Sequence, residues 1–223
     1  MNHKKTVLPV RSLAAVGVLL SLMACQSAYY GAAEKFGVHK RDILVDRVES
    51  SRDAQDKARE TFQSALDPLM ELIDYDGGDL EQIYRDTERN YNRAESAAKT
   101  VRDRVRAVEN VAEALFEEWE KEIKEYTSES LKASSQSKLH ETRERYALTV
   151  EAMRRSRDRM NPVLSSLKDN VLYLKHNLNP RAVSSVRVEF ENIERDVRAL
   201  IEEMQRSIDS SDSFIQSMRK DAA

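Results

Sequence analysis

A single cysteine, Cys25, in 223 residues excludes any internal disulfide, so the fold cannot be stapled as small secreted domains are. Only five glycines and four prolines are present, and aromatic residues amount to 6%. So few breakers argue against a sandwich or barrel of short strands and for long helices. Charge of one sign is also missing: 36 Lys and Arg stand against 39 Asp and Glu, interleaved along the chain. A polyanion needs a one-signed basic patch, so no nucleic acid is expected as a partner. The sequence contains no phosphate-binding loop, no Gly-x-Ser-x-Gly and no dinucleotide fingerprint. No enzymatic activity is therefore expected.

The first of the features present is at the N-terminus. Lys4, Lys5 and Arg11 precede an uncharged run from Ser12 to Ala24, which is shorter than the roughly 20 apolar residues a bilayer span requires. The run ends in Leu22-Met23-Ala24-Cys25, the pattern of a bacterial lipoprotein signal. Residues 1–24 are expected to be cleaved and Cys25 to carry the lipid, palmitate among its acyl chains. Two or three acyl chains hold a protein to a membrane firmly where one does not. Removing residues 1–24 takes away three positive charges and no negative ones, moving the formal charge from −3 to −6. Gln26 follows the cysteine. Bacterial lipoproteins retained at the inner membrane generally carry Asp there, so the expected location is the outer membrane, facing the periplasm. Residues 25–37 read as a lipidated tether with two glycines. Tyr29 and Tyr30 fit either the lipid headgroups or the flank of the first helix.

From Ile43 onward apolar residues recur in sustained 4-3 spacing, the signature of helices that bury one stripe. Four stripes are expected: Leu44 to Leu72, Leu80 to Trp119, Leu139 to Leu178 and Val183 to Ile208. Pro68 predicts a kink or a new turn near Asp67, and Pro162 a kink in the third helix. Asp76-Gly77-Gly78-Asp79 predicts a reversal, with Asp79 and Gln82 forming a capping box. Asn179-Pro180 reads as an N-cap followed by proline at the first helical position. Across residues 127–138 the pattern loses phase, which fits a Ser-rich turn or a continuous helix, the turn being preferred. Glu-to-basic pairs at i, i+4, such as Glu151/Arg155, Glu194/Arg198 and Glu202/Arg206, read as solvated faces. Short turns between long helices imply antiparallel neighbours. The expected fold is all-α: an elongated antiparallel bundle of about four long, coiled-coil-like helices forming one domain over residues 38–223.

Metal and cofactor chemistry finds no support. A di-iron bundle needs Glu-x-x-His on two helices, and His39, His140 and His176 have no Asp or Glu three residues before them. A calcium loop starting at Asp74 would need Gly at its sixth position and Glu at its twelfth, where Asp79 and Arg85 stand. No cofactor and no metal are expected. Polar residues on the stripes, Gln55, Tyr84, Thr87, Tyr91 and Thr142, fit either a ligand-lining groove or the edges of the seam. With the up-down-up-down order, both tight turns are expected at the end of the bundle away from Cys25. That tip, with Asp76, Asp79, Lys175, His176 and Asn177, is the candidate partner surface. A basic group and an asparagine also suit a helix C-terminus on structural grounds alone.

Three stretches, GVHKRDILVDRV (37–48), LFEEWEKEI (115–123) and MNPVLSSLKDNVLYLKHNLNP (160–180), resemble an uncharacterised family of bacterial lipoproteins, the domain of unknown function 2959. The resemblance covers nearly the whole mature chain and implies a helical, envelope-associated protein. It brings no catalytic residues. The expected function is a non-enzymatic scaffold, held to the lipid bilayer through acylated Cys25 and presenting its surface to an envelope protein or peptidoglycan. The alternative expectation is a carrier of an apolar ligand within the bundle.

Overall fold

The computed structural model describes residues 39–75 and 77–221. Cys25, the signal and tether expected over residues 1–37, and Asp76 lie outside the described residues. Among the described residues there are six helices and no strand: α1 Lys40–Ser64, α2 Asp67–Ile73, α3 Leu80–Glu125, α4 Glu129–His176, α5 Pro180–Ser185 and α6 Arg187–Lys220. The chain divides into two compact units, Met1–Ile43 and Leu44–Ala223. Of the first, only the start of α1 is described, where the His39 carbonyl accepts from the N–H groups of Asp42 and Ile43. The second is a helical bundle.

Each helix ends where local chemistry ends it. The first stripe breaks after Ser64 and resumes as α2, with Pro68 in its first turn. Proline has no N–H to lose there, so the expected interruption near Asp67 is a clean restart. Gly77 and Gly78 take φ of +141° and +125°, which L-side chains rarely adopt. The Asp79 carboxylate then accepts the Gln82 N–H at 3.1 Å. The capping box is only half made, because the Gln82 amide donates to Asp86 instead of returning to Asp79.

The 46 residues of α3 extend for about 70 Å at 1.5 Å per residue. Tyr126, Thr127 and Ser128 make the turn into α4, and the Ser128 hydroxyl caps it by accepting from Leu131 N–H. The turn expected across 127–138 is thus confined to its first residues, and 129–138 is helix. Pro162, where a kink was expected, lies within α4, which is continuous from Glu129 to His176. The carbonyl of Asp158 forgoes one helical bond, while Val163, Leu164 and Leu167 beside it are buried and hold the segment by packing. Asn179 caps α5 as expected, accepting from Ala182 N–H at 3.0 Å. The fourth stripe is divided at Val186, where α6 begins.

Cross-helix bonds give the directions. Between α3 and α4, Trp119 Nε1 donates to Ser135 Oγ at 2.9 Å, Arg143 to Glu120 at 2.6 Å and Arg154 to Glu109 at 2.6 Å. From Arg143–Glu120 to Arg154–Glu109 residue numbers rise on α4 as they fall on α3, so the pair is antiparallel. The same holds for α4 and α6 through Arg145–Asp221 and Arg155–Glu203, and for α1 and α6 through Arg52–Asp212 and Arg59–Gln205. The result is the up-down-up-down order that the short turns implied.

The stripes meet in one core. Leu44, Val48, Phe62, Leu69, Ala98, Val101, Val108, Met153, Met160, Leu174, Phe190, Val197, Leu200 and Met204 are all fully buried. Each of the large side chains contributes about 1.5–3 kcal/mol against exposure. Packing of these stripes, more than helix propensity, holds the helices in place.

Candidate functional site

The bundle tip is built from the two tight turns, and the structure brings them together. Asp74, at the C-terminus of α2, lies 3.8 Å from Arg187 at the start of α6. Tyr75 OH donates to the Gly78 carbonyl at 3.1 Å and braces the glycine turn across its mouth. A Cβ added at Gly77 or Gly78 would meet nothing within 4 Å, so the backbone conformation, not crowding, requires glycine there.

The second turn closes on itself. Asn177 caps α4: its backbone N–H bonds the Leu174 carbonyl at 3.2 Å and its side-chain amide the Tyr173 carbonyl at 3.0 Å. The Asn179 N–H then returns to the Asn177 carbonyl at 2.9 Å. Tyr173 OH and Ser185 Oγ, 3.1 Å apart, tie α4 to α5. Lys175, His176 and Asn177 are exposed, and Lys175 and His176 occupy the last turn of α4, where the helix dipole favours cations. Asp79 is exposed too, with one carboxylate oxygen engaged in its cap. Of the expected tip residues, Asp79, Lys175, His176 and Asn177 therefore share one end of the bundle, and Asp76 lies outside the described residues. Arg187, which ties the flank of the glycine turn to the start of α6, was not legible as part of the tip. Its partner lies more than a hundred residues earlier, and no spacing rule connects them.

Two open grooves flank this end. One, of about 440 Å³, is lined by Met70, Glu71, Asp74, Tyr75, Gly77 and Ile83. The other, of about 350 Å³, lies between α4 and α6 and carries Asp169, Glu189 and Asp196 beside Tyr173 and Asn192. Among the described residues no three His, Cys, Asp or Glu side chains come together in a way that could hold a metal ion.

The polar residues on the stripes sort into two kinds. Thr87 and Thr142 donate to the carbonyls four residues back, Ile83 and Lys138. Tyr84 and Tyr91 reach Glu88 and Glu95 on their own helix, which fits the seam-edge reading. Gln55 is the exception, fully buried with neither polar atom bonded to protein. Charge is also used differently from the expected pattern. Glu151/Arg155 and Glu194/Arg198 do pair along their helices, but Arg206 turns to Glu203, not Glu202. Glu203 is 8% exposed and takes hydrogen bonds from both Arg206 and Arg155. The Arg206 bond, then Arg155, hold its carboxyl below the usual carboxylate range against the opposing effect of burial.

The fold and its tip define a class: an all-α antiparallel bundle whose long helices are joined at one end by two braced turns. A family model described as "Protein of unknown function (DUF2959)" matches residues 29–218, and the chain belongs to that family. Searches of the curated proteins and of the solved structures returned no match.

Proposed function

We propose that this protein is a lipid-anchored periplasmic lipoprotein of the outer membrane, acting as a non-enzymatic scaffold that presents its tip to an envelope protein or to peptidoglycan. The observation that carries this reading is the exposure of Asp79, Lys175, His176 and Asn177 at the end of the bundle where Asp74 pairs with Arg187. Chain order supports it, because α1 runs from Lys40 towards that end and the acylated Cys25 precedes Lys40. The lipobox Leu22–Cys25 supports the anchor.

The test separates anchor from tip. Replacing Cys25 with Ser should abolish acyl labelling and release the protein from the membrane fraction; unchanged labelling and fractionation would refute the anchor. Crosslinking in intact envelopes should give a specific adduct with the unaltered protein. That adduct should be lost from a variant combining Lys175→Glu, His176→Ala and Asn177→Ala, and kept when Thr127, in the opposite turn, is changed to Ala. An adduct indifferent to the tip substitutions would overturn the tip as the contact surface.

A further inference from the structure

The core has one stretch where its chemistry changes. Gln55 on α1, Ser156 on α4 and Ser207 on α6 are each 0% exposed. Neither Oε1 nor Nε2 of Gln55, and neither serine hydroxyl, finds a protein hydrogen-bond partner. Buried polar groups left unpaired are costly and uncommon in folded proteins, and a single one would call for an explanation.

Contacts between the helices bring these groups to neighbouring levels. Arg52–Asp212 and Arg59–Gln205 bracket both Gln55 and Ser207. Thr149–Ser210 and Arg155–Glu203 bracket Ser207 and end one residue from Ser156. Ser51 Oγ reaches Met153 Sδ at 3.6 Å, joining α1 to α4 one turn from Gln55 and from Ser156. Small residues, Ser51 and Ala58, flank Gln55 on α1 and Ser211 follows Ser207 on α6, while the larger Met153 and Met160 flank Ser156 on α4 and Met204 precedes Ser207, all fully buried.

We propose that the centre of the bundle, between Gln55, Ser156 and Ser207, is a binding site for water, with one or more molecules bridging the three helices as a fixed part of the core. The donor set selects this ligand. A carboxamide and two hydroxyls offer both donors and acceptors and no net charge, which suits a small neutral molecule that both gives and takes hydrogen bonds. The nearest buried carboxylate, Glu203, is already matched by Arg155 and Arg206, so it places no uncompensated charge in the layer. A buried water makes two to four hydrogen bonds, and the amide and hydroxyls can supply them.

A high-resolution crystal structure of the full-length protein should show water density within hydrogen-bonding distance of at least two of the three side chains. Density for a bulkier guest, direct bonds among the three groups, or a core with no water between them would each overturn the proposal. Gln55→Leu gives an independent reading by thermal unfolding. Where water satisfies the amide, the substitution leaves Tm unchanged or lowers it. A dry layer with an orphaned amide would instead gain about 2–4 °C or more on its removal, and that rise would refute the site.

Discussion

Tyr146 shows what three helices can do to one side chain. Its ring stands edge-on to Phe116 of α3 at 5.4 Å and to Phe214 of α6 at 6.5 Å, while Arg143 lies over the Phe116 face at 5.1 Å. Burial first, then the carboxylates of Glu109 and Glu113, push the phenol up to about 12, with Arg154 opposing. The fold therefore favours the neutral phenol. Its contribution to stability is intact below the ordinary tyrosine value of about 10 and is lost as pH rises through about 12. Alkaline titration followed by tyrosinate absorbance should show a late component near pH 12 among the eight tyrosines, absent from Tyr146→Phe. If the two titrations superimpose, the burial account of this residue fails. The stripe placed Tyr146 on the inner face of its helix. It could not reveal the shift, because Phe116, Glu109 and Phe214 come from other helices.

Among the elements, beginnings and ends were the most legible because their causes are local. Asn179-Pro180 carries both cap and first helical residue in two positions, and the Asn179–Ala182 bond follows directly. Asn179→Ala should cost about 1 kcal/mol in chemical denaturation, with faster amide exchange concentrated in α5. A uniform loss of protection along α4 and α6 would contradict a local capping role. Residues 129–138 were harder to read. Leu131 is 57% exposed and Ser135 serves as an acceptor for Trp119, so this helical segment buries no continuous apolar stripe. Its helicity comes from the Ser128 cap and helix-forming residues, with nothing in the spacing to reveal it. Pro162, where a kink was expected, lies inside the continuous helix α4.

For the whole molecule, the unbroken stripes were enough to give an all-α bundle and the order of its helices. Which arginine meets which carboxylate was not, because cross-helix register depends on how four long rods settle against one another. Glu203, clamped by Arg155 from α4 and by Arg206 on its own helix, is such a pairing. Its lowered pKa stabilises the bundle above the unfolded carboxylate range, and that contribution is lost as pH falls through the folded value. Glu203→Gln should therefore lower stability by about 1–2 kcal/mol near neutral pH. The gap to the unaltered protein should close on acidification, and a gap independent of pH would point to packing alone. The helix order also has a practical side for anyone attaching probes. Asp212 of α6 lies against Arg52 of α1, so a label following α6 travels with the half of the bundle where α1 begins. One inserted between Gly77 and Gly78 travels with the opposite half. The two positions offer separate handles on opposite ends of the helical bundle, able to report its orientation as well as its location.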